Sequence, residues 1–151
     1  MFMTTAIIIG IIGAIISAVT GTLWYNDKTP MGKLHMRFLG FDKLSAAEKD
    51  ALMAAAKPKM WKTYSLQMLL SFITSFFIGF VTWYTVYAGG PAEATYSYVV
   101  MIWLAFTVPM IGQNLLWANV DGSLAWKKFF SDAAYNLITY LIIAFVATLL
   151  V

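Results

Sequence analysis

Four continuously apolar stretches alternate with three polar connections along this chain. Met1 to Asn26, Thr63 to Ala92, Ala94 to Val120 and Ala133 to Val151 contain no Asp, Glu, Lys or Arg. Each supplies about 20 apolar residues, enough to cross roughly 30 Å of hydrocarbon as a helix. Apolar residues run on without the alternation that a membrane barrel needs, so the pattern predicts helices. The expected spans are about residues 4–25, 64–87, 96–117 and 129–150, an all-α bundle of four transmembrane helices in a single domain covering 1–151. The first window lacks a basic leader and a convincing small-residue cleavage site, and it reads as a mature helix, not a signal peptide.

The connections set the expected orientation. Lys28, Lys33, Arg37, Lys43, Lys49, Lys57, Lys59 and Lys62 lie in the first, Lys127 and Lys128 in the third, and the second carries only Glu93 among charged residues. The positive-inside bias puts connections one and three in the cytoplasm and both termini outside, an N-out/C-out topology in a cytoplasmic (inner) membrane. Interfacial aromatic belts are expected from Trp24, Tyr25, Trp61 and Trp126 on one side, with Trp117 near the same level, and from Trp83, Tyr84, Tyr87, Tyr96 and Tyr98 on the other. Two short amphipathic helices are expected in the first connection. One runs from about Met31 to Leu39, with Lys33, His35 and Arg37 at the lipid headgroups. The other starts at the Ser45–Glu48 capping box and stops before Pro58, because the residue preceding a proline disfavours helix.

Composition narrows the function. The chain is 61% apolar and 11% charged, against about 25% charged in an ordinary soluble domain, which excludes a water-soluble fold and disorder. A net charge of +3 confined to loops excludes nucleic acid as a main partner. The expected partners are the lipid bilayer, a second copy of the chain or other membrane subunits. There is no cysteine and a single His, so neither disulfides nor a metal or other cofactor is expected.

Small residues recur at spacing four in the first helix: Ala6, Gly10, Ala14 and Ala18, then Gly13, Ser17 and Gly21. Such rows let helix backbones approach closely in lipid, and the first helix is expected to be the most enclosed, packing within its own chain. A 2+2 parallel repeat is suggested by Leu23-Trp24-Tyr25-Asn26 against Leu116-Trp117-Ala118-Asn119. Each is followed by a Gly-x-Leu stretch ending in a base, Gly32 to Arg37 and Gly122 to Lys127.

Polar side chains inside hydrocarbon are costly, about +2.5 to +3.5 kcal/mol for a central Asp, so they should turn inward. A cluster of Gln67, Gln113, Asn114, Asp132 and Asn136 is expected in the cytoplasmic half, with Trp24 and Trp117 at its mouth. Asp132 has three readings: a structural ion pair with Lys128 one turn away, a cation or proton site, or an acid–base group acting on a lipid or small substrate. No nucleophile elbow, phosphate loop or zinc-ligand spacing is present, so no catalytic residue is assigned.

Further motifs lie at these same positions: Gly21-Thr22-Leu23-Trp24-Tyr25, Pro30-x-Gly32-Lys33-x-x-Met36 and Gly40-Phe41, then Asn114-Leu115-Leu116-Trp117 and Phe129-x-x-Asp132-Ala133-x-Tyr135-x-Leu137. In this order the chain resembles the bacterial membrane proteins called domain of unknown function 1761. His35 departs from the aromatic residue, such as Trp, expected there. The resemblance implies a four-span integral membrane protein and brings no activity, substrate or cofactor. The resulting expectation is a non-enzymatic, self-associating protein of transporter or channel type. The alternatives are an accessory or scaffolding subunit of a larger membrane complex and a small enzyme acting on lipid headgroups.

Overall fold

The computed structural model describes residues 2–151. Among them six α-helices occur and no strand: α1 (Phe2–Trp24), α2 (Pro30–Phe38), α3 (Ala46–Tyr87), α4 (Ala94–Ile102), α5 (Val108–Leu116) and α6 (Gly122–Leu150). A π-helical turn, Trp103–Thr107, joins α4 to α5 in one rod from Ala94 to Leu116. Four helical rods are therefore long and apolar enough to cross a membrane.

Local chemistry explains most boundaries. Thr29 caps α2 by accepting from the Gly32 N–H at 2.9 Å, and Pro30 occupies the first helical position, where its missing N–H costs nothing. Gly40 (φ 76°) makes the left-handed turn that leads out of α2. The Ser45 hydroxyl accepts from the Glu48 N–H, and Glu48 accepts from the Ser45 N–H at 2.8 Å, completing the expected capping box. The Ser45 hydroxyl also donates to Glu48 Oε2 at 2.7 Å, and this bond, with the Ser45 N–H bond after it, holds the Glu48 carboxyl below its usual range. Asp121 caps α6 through the Ser123 and Leu124 amides.

Pro58 does not end a helix. α3 runs unbroken through it for 42 residues, where a separate short helix was expected. The segment around Pro58 is exposed, so solvent can satisfy the carbonyl that the proline leaves without a donor, and the neighbouring run of alanines favours helix strongly enough to offset the cost. At Pro109 the third rod is distorted. The π turn precedes it, and wider i→i+5 bonding absorbs the missing N–H.

Every rod contributes to the apolar core: Ile9 from α1, Ile78 from α3, Val99 from α4, and Ile143, Ala144 and Ala147 from α6. The closest approach is between α1 and α3. A Cβ on Gly13 would stand 2.2 Å from Ser75 Oγ, and one on Gly79 would stand 3.0 Å from Ile9, so only glycine permits this crossing. The small-residue row thus serves packing within the chain. The first helix is nevertheless no more enclosed than its partners. In each of α1, α3 and α6, 28% of the apolar window is buried, against 6% for the α4–α5 rod. The two stretches that suggest a repeat adopt different forms: Gly32 to Arg37 lies in the short α2, whereas Gly122 to Lys127 opens the long α6.

Candidate polar site at one end of the bundle

Where α1 ends, the chain turns back tightly enough for α2 to lie against α6. Thr29 Oγ1 donates to the carbonyl oxygens of Trp24 and Asn26 at 2.9 and 2.8 Å. A Cβ on Gly32 would fall 1.7 Å from the Asn26 carbonyl oxygen, so glycine is required for the close approach. The turn brings Tyr25, His35 and Phe38 over the first turns of α6.

Lys128 and Asp132 meet there as an i,i+4 ion pair. Lys128 is only 5% exposed, and its ammonium lies 5.1 Å from the Tyr25 ring centroid and 5.6 Å from that of Phe38, a cation–π cage. Tyr25 Oη donates to Asp132 Oδ1 at 2.8 Å. Trp24 Nε1 donates to Ser131 Oγ at 3.2 Å, and Tyr135 Oη donates to the Ser17 carbonyl at 3.0 Å. Each charged group has an opposite charge, a hydroxyl or a ring face to meet, as a buried pair requires. His35 turns its ring to Tyr25, with centroids 4.9 Å apart, and its Nδ1 is buried without a hydrogen-bond partner. Burial lowers its pKa, the nearby Lys128 ammonium lowers it further, and Asp132 opposes both.

One turn farther along α6 is a second polar region. A cleft of about 190 Å³ is lined by polar groups of three helices, chiefly Ser17 of α1, Gln67, Ser71 and Thr74 of α3, and Asn136 and Thr139 of α6. Counted from Leu150 at 1.5 Å per residue, Asn136 stands about 21 Å and Lys128 about 33 Å along α6. The cleft therefore lies near the middle of α6 and the ion pair toward its N-terminal end.

The expected five-residue cluster forms only in part. Asn136 lines the cleft from α6, and Gln67, itself exposed on α3, stands at its rim. Asp132 sits beside it in the ion pair, and Asn136 Nδ2 donates to the Asp132 backbone carbonyl at 2.8 Å, not to its carboxylate. Gln113 and Asn114 are exposed on α5, because α5 meets α6 at Phe129, facing Gly112, on another side. Trp117, expected at the mouth, is exposed past the end of α5. Trp24 and Tyr25, expected to face lipid, are drawn inward by Ser131 and Asp132, whereas Trp126 is exposed. Lys33 and Arg37 share one exposed face of α2, and His35, two residues from each, points elsewhere. Sequence reasoning missed Ser17, Tyr25, Phe38 and Ser131 as members of this end. The Gly32 spacing was the one available signal that α2 folds back. Among the described residues no three His, Asp or Glu side chains gather as metal ligands.

The model of a known family matches residues 8–148, nearly the whole chain. The chain belongs to the family described as protein of unknown function (DUF1761). No curated protein and no solved structure matches it. Membership in DUF1761 fits the four apolar rods and assigns no activity.

Proposed function

We propose that this DUF1761 protein lies N-out/C-out in the bacterial inner membrane, with Lys33, Arg37 and Lys127 on the cytoplasmic side, and that its cleft admits a small uncharged polar solute. The observation that carries this reading is the 190 Å³ cleft lined by hydroxyls and amides of three helices, which falls at hydrocarbon depth in a bilayer about 30 Å thick measured from Leu150. Polar groups lining a cavity inside a membrane mark substrate paths. A cation is the weaker choice of solute, because the one nearby carboxylate, Asp132, is already held by Lys128 and Tyr25. Asp132 then serves as the structural ion pair, and neither Asp132 nor His35 serves as an acid or base on lipid.

The test is solute entry into proteoliposomes, followed by light scattering with a panel of small polyols and amides and, separately, potassium. Wild type should speed one uncharged solute over empty vesicles, and Asn136→Leu should abolish that gain. No acceleration of any solute would refute the reading. A second reading, an accessory subunit, is favoured by the thin burial of the α4–α5 rod and by the exposed first half of α3. Constant co-purification of other chains from native membranes would support it, and a self-associated complex of this chain alone would support transport.

A further inference from the structure

Between α2 and α6, outside the polar cleft, runs a separate groove of about 640 Å³. Its walls are apolar, formed by Trp24, Pro30, Met31, Leu34, Phe130 and Ala134, and three cations, Lys33, Arg37 and Lys127, stand on it. Lys33 and Arg37 are one turn apart on α2, and Lys127 begins the facing wall on α6. All three side chains are exposed, and among the described residues the only ion pair is Lys128–Asp132. The groove therefore presents positive charge that no acid of the chain neutralises.

We infer that this groove holds one anionic phospholipid of the surrounding bilayer, its phosphate among Lys33, Arg37 and Lys127 and one acyl chain along Leu34, Phe130 and Ala134. Charge complementarity selects the headgroup, and position selects a lipid over a soluble phosphate. From Lys127 to Ala134 the α6 wall descends about 10 Å, from headgroup level into hydrocarbon. A free phosphate would use the three cations and leave the apolar walls empty. A surface polybasic segment attracts anionic lipid generally; here the attraction is local, because an apolar slot lies directly under the charges. The Trp24–Ser131 hydrogen bond fixes the slot's inner wall, and the turn that needs Gly32 fixes the distance between α2 and α6.

The experiment is native mass spectrometry of the intact protein released from nanodiscs of mixed phosphatidylglycerol and phosphatidylcholine, counting the lipid retained. Wild type should retain one phosphatidylglycerol with about tenfold preference. Lys33→Gln/Arg37→Gln/Lys127→Gln should lose the preference. Lys43→Gln/Lys49→Gln/Lys57→Gln, which removes equal charge elsewhere, should keep it. Ala134→Phe, which fills the slot and leaves the cations, should lower retention of the whole lipid. Equal retention of both lipids by wild type would overturn the inference, as would equal loss in both charge variants, or displacement of the bound lipid by millimolar inorganic phosphate. Folding of each variant is checked by its thermal transition in the same discs. Solute flux is read separately, so failure of the lipid site and failure of the cleft are distinct results.

Discussion

Asp132 and Asn136 stand one turn apart on α6, yet the polar regions they belong to are built on opposite terms. Around Asp132 each charge is matched: Lys128 bridges to it, Tyr25 donates to it, and two rings cover the ammonium. Around Asn136 the helices leave a cavity. The difference follows from what each group costs away from water. A charge withdrawn from water needs a partner at once. A Ser or Thr hydroxyl can instead bond the carbonyl one turn back, as Ser17 does to Gly13 at 2.9 Å and Thr74 to Leu70 at 3.1 Å, and still line the cleft. The charged region is a clamp joining α1, α2 and α6, and the uncharged one is free to take a guest.

The strongest way to break this comparison is to unbalance the clamp. Asp132→Leu alone should cost about 3–5 kcal/mol, because it leaves the buried Lys128 ammonium uncompensated, and Lys128→Met alone should cost less, because Asp132 is partly exposed and keeps the Tyr25 hydroxyl. The double variant should recover most of that loss, and unfolding in detergent micelles measures all three. If each single change were as mild as a surface substitution, the region would not be a clamp. Next in size is the α1–α3 crossing that forms a wall of the cleft. Gly13→Ala places a methyl group against Ser75 and should cost about 1–3 kcal/mol; Ser75→Gly in the same chain should restore part of it.

Asn136→Leu sharpens the contrast from the other side. It removes a bond to a carbonyl and should cost about 1 kcal/mol or less, while solute entry in proteoliposomes is lost. The smallest expected effect concerns His35. Its pKa is lowered in the fold, so below the usual histidine value the unfolded chain binds more protons than the native one, and stability falls as pH falls. Thermal transitions taken from about pH 7.5 to 5 should drop in wild type, and the part due to this residue should disappear in His35→Phe.

The route back from α1 through α2 to α6 was the least legible part of this molecule. Gln113 and Asn114 had the same claim on an inward position as Gln67, since each is an amide within an apolar run. All three are exposed; what separates them is that Gln67 borders the cleft between α1, α3 and α6, whereas α5, beyond the π turn before Pro109, contributes nothing to it. Trp24 and Tyr25 likewise had the position of belt residues, but the reversal at Gly32 turned them inward.

The sequence by itself determined the number of long apolar rods, the capping box at Ser45, the short helix before Gly40 and the Lys128–Asp132 spacing. These are consequences of local periodicity, where burial cost and hydrogen bonding act over a few residues. Only the tertiary structure decided which helix faces meet, that α3 continues through Pro58, and that the polar residues divide into a closed ion pair and an open cleft. Those outcomes depend on contacts between residues more than a hundred positions apart, such as Tyr25 with Asp132 and Thr20 with Thr139. One-dimensional patterning fixes how far each side chain lies along its helix, but not the angle at which that helix meets its neighbours.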